Sequence, residues 1–203
     1  MLYYMLNKPQ GCVTACTDAV HHTVMECFPK ELAEKLHPVG RLDKDTCGLL
    51  LLTNDGSLDL RIMQPKKHIS KTYFFYAIGK ITDEKIRQLE GGIPLAGFTT
   101  KEAVFRIERE YRIGELEKFM PEDRRERYMK NPEGPAFSAS LTIYEGKKHE
   151  VKRMLEAVGC RIFYLRRESI GGLRLDASLK QGEYRILTHD EVRLLKDEKK
   201  QGL

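Results

Sequence analysis

Apolar residues fall along the chain in short blocks separated by turn-forming residues. Leu2 to Leu6 reads as a first strand, ended by Lys8-Pro9-Gln10-Gly11. Four consecutive leucines, Leu49 to Leu52, lie within Gly48 to Thr53 and are closed by Asn54-Asp55-Gly56. A run that short, bounded by turn residues, predicts a buried strand. Lys71 to Gly79 is rich in aromatics and reads as a strand, with Tyr73 and Phe75 on one face and Phe74 and Tyr76 on the other. Ala103, Phe105 and Ile107 alternate with polar residues, as do Ala139, Leu141 and Ile143. Each alternation predicts a strand with one buried face. Cys160 to Glu168 is a further strand.

Helical spacing appears between these blocks. Val24 to Leu36 reads as helical with a break at Pro29, and Ser57 as the cap of a short helix that stops before Pro65. Thr82 caps another, with Asp83 and Glu84 in its first turn and Gly91-Gly92 at its end. The clearest helix is Glu145 to Val158, where Val151, Met154, Leu155 and Val158 fall at i, i+3, i+4 and i+7. Thr188 and Glu191 have capping-box spacing and open a last helix. The charged stretch from Glu108 to Pro135 is long for a hairpin loop and reads as a helical insertion at the protein's edge. Strands outnumber helices, so the expected class is α+β with a mixed, mainly antiparallel sheet flanked by helices.

Composition narrows the function classes. The 203 residues are 41% hydrophobic and 32% charged, which describes a folded, soluble chain. No apolar run approaches the roughly 20 residues that span a bilayer, so no membrane role is expected. The start of the chain lacks a basic segment followed by an apolar one, and the five cysteines are scattered. A reducing cytoplasm is the expected location. The net charge is +5, and the stretch from Lys147 to Arg185, with ten Lys/Arg against five Asp/Glu, holds an excess of that size. A polyanion is a plausible partner for such a face, and a merely solvated basic surface is the plain alternative.

Candidate chemistry concentrates in Gly40 to Gly56, GRLDKDTCGLLLLTNDG, where a polar loop runs straight into the leucine strand. A carboxylate at such a junction is held by a rigid element yet can face a cleft. Asp43 and Asp45 both qualify, and either can equally serve the backbone of its own turn. On the helix after Glu145, at about 100° per residue, Lys152 borders the apolar stripe and Arg153 points away from it. Cys12, Cys16, His21 and His22 include a C-x3-C spacing, but adjacent histidines rarely share one tetrahedral ion, so no metal site is expected. No glycine-rich phosphate loop is present.

The segment around Asp43 resembles the signature of the RsuA-like family of ribosomal RNA pseudouridine synthases. Asn7-Lys8-Pro9-Gln10-Gly11 resembles that family's first motif, Lys71-Thr72-Tyr73 its K-x-Y motif, and Glu145 to Met154 its third. The tail, from Tyr164-Leu165-Arg166-Arg167 through Gly182-Glu183-Tyr184-Arg185 to Thr188, also fits. The resemblance implies one catalytic domain over 1–203, built from two half-sheet lobes of a bifurcated, mainly antiparallel sheet around a central cleft. It implies isomerisation of a uridine in ribosomal RNA, free or in an assembly intermediate, by a chain expected to be a monomer and to use no cofactor and no metal. By the resemblance Asp43 is the nucleophile on a flipped-out uridine, and Tyr73 stacks on the uracil or helps remove its C5 proton. A carboxylate in a closed cleft is costly without a cation beside it, which points to Lys152 as the partner of Asp43. Arg41, Lys44, Lys148, Arg153, Arg166 and Arg167 are the expected RNA contacts.

Two features depart from the family's pattern. Glu150 stands where the family usually has Gln, adding a negative charge with Lys148 or Arg153 as possible partners. No S4-type RNA-binding domain precedes the first motif at Asn7 in this sequence. The reading from another class is a non-catalytic RNA-binding or ribosome-assembly protein on the same fold. Such a binder has no need of Asp43.

Overall fold

The computed structural model describes residues 1–64 and 68–197. In chain order the strands are β1 (Tyr3–Lys8), β2 (His37–Val39), β3 (Thr46–Thr53), β4 (Lys71–Ile78), β5 (Pro94–Leu95), β6 (Phe98–Thr99), β7 (Val104–Arg112), β8 (Pro135–Ile143), β9 (Arg161–Ile170), β10 (Leu173–Arg174) and β11 (Tyr184–Ile186). The α-helices are α1 (Lys30–Ala33), α2 (Gly56–Met63), α3 (Asp83–Gly91), α4 (Glu122–Tyr128), α5 (Glu150–Ala157) and α6 (His189–Asp197). Short 3-10 turns span Val24–Cys27 and Ile113–Phe119. The chain divides into two compact units, Met1–Lys71 with Arg166–Leu203, and Thr72–Leu165. Strand pairing is mainly antiparallel, with a parallel bridge at Val13↔Thr23, as the expected α+β class requires.

The first unit joins both ends of the sequence. β1 lies between β11 and β3, with Tyr4 opposite Ile186 on one side and Leu52 on the other. All eight residues of β3 are buried, which is why its sequence shows a leucine run and no alternation. Met5, Leu49, Leu51, Leu58, Ile62, Ile170, Leu187 and Leu195 share one core. The cap of α2 is Asp55, not Ser57: the Asp55 carboxylate accepts hydrogen bonds from the backbone N–H of Ser57 and Leu58. The Ser57 hydroxyl and the Tyr3 phenol donate to the same carboxylate. These donors hold Asp55 ionised far below the usual carboxylate range. α2 ends at Met63, and Pro65, its expected stop, lies outside the described residues.

The second unit orders its strands β9-β4-β8-β7. In β4 the residues Lys71, Tyr73, Phe75 and Ala77 are buried, and the residues between them are half-buried, as the period of two predicts. The alternation in β7 holds at Phe105 and fails at Ile107, which is exposed beside a register shift between Ile107 and Arg109. The expected insertion is shorter than its charge suggests, because β7 runs on to Arg112 and pairs Arg112 with Pro135 of β8. What remains folds on a small core of Ile113, Leu116, Met120 and Tyr128 packed with Ala136 and Phe163.

Candidate active site

Asp43 lies half-buried in the first unit, in the turn that leads into β3. Every main-chain carbonyl of that turn, from Leu42 to Thr46, has a donor. The Thr14 hydroxyl donates to Leu42 O, and Leu42 N–H donates to the Thr14 hydroxyl oxygen. Thr46 N–H donates to Asp43 O, and Gly11 N–H donates to Lys44 O at 2.8 Å. The Gln10 side chain donates to Asp45 O, and Lys8 Nζ donates to Thr46 O at 2.9 Å. Lys8 Nζ also reaches Pro9 O and Lys44 O. The lysine is 0% exposed. Burial lowers its pKa, and the nearby Cys12, Cys47, Asp45 and Asp43 pull in the other direction. Each bond from a charged donor contributes about 1.5–3 kcal/mol, so removing this one side chain unmakes a costly cage. The segment Asn7 to Gly11 therefore braces the turn of Asp43. Sequence reasoning noticed the motif but assigned it no such task.

Gly48 has φ +101° and lies against β9: a Cβ there would sit 2.3 Å from Arg167 O and 2.8 Å from Arg167 N. Only glycine fits both the dihedral and the space. Arg167 itself is 3% exposed, and its Nε donates to Leu49 O at 2.8 Å. It is an internal brace of β3, which corrects its expected role as an RNA contact. Arg166 faces the other way and pairs with Glu168 at 2.6 Å. Arg41 and Lys44 flank Asp43 and are exposed.

Tyr73, Lys148, Lys152 and Arg153 belong to the second unit. Tyr73 is buried on the same face of β4 as Phe75, whose ring meets Phe105 and Phe137. α5 begins at Glu150, not at Glu145 as its sequence suggests. The residues Glu145 to His149 form a loop in which His149 takes φ +54°. Within α5 the stripe Val151, Met154 and Leu155 is buried and Lys152 is half-buried at its border, as the helical angles predict. Arg153 is half-buried. Its Nη2 donates to Ala96 O at 2.5 Å, and its guanidinium lies 4.9 Å from the Phe98 ring centre. Lys148 is exposed.

Glu150 departs from expectation most. It is 3% exposed, and its hydrogen bond comes from Lys147 N–H at 2.7 Å, not from Lys148 or Arg153. The buried carboxyl of Glu145 lies within hydrogen-bonding reach of it. A helix N-terminus favours an anion by about 0.3–1 kcal/mol, whereas burying a second unpaired carboxylate costs several. Burial wins, and with Glu145 beside it the Glu150 carboxyl is pushed up to about 7, against the opposing bond from Lys147 N–H.

Comparisons with known proteins agree with this arrangement of motifs. The family model described as RNA pseudouridylate synthase matches residues 2–157. A Bacillus subtilis protein named as an uncharacterized RNA pseudouridine synthase, YtzG, is 41% identical over 97% of this chain and 74% of its own. The ribosomal small subunit pseudouridine synthase A of Escherichia coli is 41% identical over 94% of this chain and 72% of its own. A crystal structure described as a pseudouridylate synthase superposes with a TM-score of 0.79 at 38% identity, covering 96% of this chain and 73% of that one. With more than half of its length matched by the family model and relatives of this identity aligned over nearly all of this chain, the chain belongs to the RNA pseudouridylate synthase family.

Proposed function

We propose that this protein isomerises a uridine of ribosomal RNA to pseudouridine, with Asp43 as nucleophile on a uridine turned out of its stack. Ribosomal RNA is the substrate that the name of the Escherichia coli relative suggests, and small-subunit RNA is the first to test. The bond from ribose C1′ to uracil N1 breaks and one to C5 forms. The C5 proton is lost and N1 gains one, so no electrons are exchanged. The observation that carries the reading is the turn at Asp43, where five successive carbonyls from Leu42 to Thr46 are each bonded. Holding a carboxylate in a fixed turn favours reaction, because the ordering cost is met before substrate arrives.

In this reading Tyr73 offers its ring to the target uracil, and Lys152 is the cation assigned to the Asp43 carboxylate. Arg41, Lys44, Lys148 and Arg166 meet the RNA backbone. The enzyme acts as a monomer on free RNA or on an assembly intermediate. The test is release of tritium from ribosomal RNA labelled at uridine C5. Wild-type protein should release it, and Asp43→Asn should lose turnover by at least a thousandfold, about 4 kcal/mol of barrier, with RNA affinity nearly unchanged. No release from any ribosomal RNA or subunit by folded protein would favour a non-catalytic binder.

A further inference from the structure

Two buried acids lie close together, Glu145 in the loop that leads into α5 and Glu150 at the first position of that helix. Glu145 is 9% exposed and Glu150 is 3% exposed. Each already receives one main-chain donor: Lys101 N–H donates to Glu145 Oε1, and Lys147 N–H donates to Glu150 Oε2, both at 2.7 Å. The second oxygen of Glu150 is buried, and no donor from the described residues reaches it. Its near neighbour is the Glu145 carboxyl. The charged group facing the pair is Lys147 Nζ, 3.7 Å from Glu145 Oε2, which also sits 3.9 Å from the centre of the Phe98 ring. The hairpin β5–β6 carries no charged residue, and Arg153 of α5 donates to its Ala96 O and lies 4.9 Å from its Phe98 ring centre. The segment before β7 contributes the main-chain N–H of Lys101. Lys147 Nζ pairs with Glu145, and Glu150 Oε1 is buried without a donor among the described residues.

We infer that Glu150 is a positioning residue that works in its neutral form, donating from Oε1 to Glu145 and so fixing the turn that carries Lys148 and starts the helix bearing Lys152. The proton removes both faults together, the unpaired charge and the oxygen without a partner. The consequence is directional. Burial raises the Glu150 pKa to about 7, so the folded form holds a proton that an unfolded glutamate, with a pKa near 4.5, has released. The stabilisation is full below the unfolded value and is lost as pH rises through the folded one. The positioning role rests on the reading of Lys152 given above, whereas the protonation of Glu150 does not.

Two variants test this. Glu150→Gln keeps an acceptor for Lys147 N–H and offers Glu145 a donor that does not titrate. Glu145→Gln keeps an acceptor for Lys101 N–H and turns a donor toward Glu150, so Glu150 no longer needs its proton. Thermal unfolding is measured from pH 5 to pH 9, and turnover of unmodified ribosomal RNA from pH 7 to pH 9. The expected result is that Glu150→Gln matches wild type near pH 5 and gains on it steadily up to about pH 8. Glu145→Gln should shift that change to lower pH. Wild-type turnover should fall about threefold or more between pH 7 and pH 9 relative to Glu150→Gln, since each unit past the midpoint changes the protonated fraction about tenfold. A melting-temperature gap that stays constant across the range would overturn the neutral acid. A gap that opens while the two turnover profiles stay parallel would overturn the positioning role. If every variant proved inactive, the unfolding data would still decide the protonation, and the fault would lie with the assignment of the reaction.

Discussion

A buried charge contributes to a fold only where something binds it, and Lys8 shows the condition met. Its ammonium has three carbonyl partners, two of them in the turn of Asp43. Lys8→Met keeps the length and removes the donors, leaving the Thr46 carbonyl without its ammonium. The expected cost is about 2–5 kcal/mol by denaturant titration, with turnover falling more than RNA affinity because the nucleophile's loop loosens. Unchanged stability would show that water replaces the ammonium without penalty. Gly48 sets the opposite kind of limit. Alanine there puts its Cβ 2.3 Å from the Arg167 carbonyl oxygen at a φ of +101°, and the atoms of Arg167 that it meets are backbone. Gly48→Ala should cost about 2–4 kcal/mol and separate β3 from β9, which amide exchange at Leu49 would report.

At the scale of elements, legibility followed the kind of signal. β3 and β4 were visible because burial on both faces and burial on one face leave different patterns of residues. α3 and α6 were visible from their caps: Thr82 accepts from Lys85 N–H, and Thr188 and Glu191 bond each other reciprocally. The start of α5 was hidden, because Glu145 to His149 carry helix-tolerant residues and their loop is fixed by a left-handed His149 and by buried carboxyls. Arg167 was misread for a related reason. Charged side chains are assigned to the surface by default, and only the fold shows which backbone carbonyls are left for them. The insertion hid its core behind its charges. Leu116 is 1% exposed there, so Leu116→Ala should open a cavity costing about 2–5 kcal/mol. Loss of amide protection should be confined to residues 113 to 134, with β3 unaffected, if this element opens as a local unit.

For the molecule as a whole, the two units respond to acid in opposite directions. In the first unit, Asp55 is held well below the usual carboxylate range by Ser57 and Tyr3, and Asp176 is held near 2 by Ser178 and Arg185. Glu191 is lowered by Arg185, which bridges it to Asp176. The Tyr3 bond ties the start of α2 to the start of the chain, and the Arg185 bonds tie β11 to Asp176 and to α6. Each such acid stabilises the fold above its unfolded value near 4 and loses that contribution as pH falls through the folded value. Glu150 in the second unit runs the other way, losing its contribution as pH rises from about 4.5 to about 7. Melting temperature measured against pH should therefore peak at mildly acidic pH, around 5, with both flanks descending. Replacing Arg185 with Met removes the cation shared by Asp176 and Glu191, so it should lower the plateau and flatten the acid flank while leaving the neutral flank in place. Glu150→Gln should flatten the neutral flank alone. If either variant moved both flanks together, the two sets of titrating groups would not be acting independently, and the assignment of one flank to each unit would be wrong.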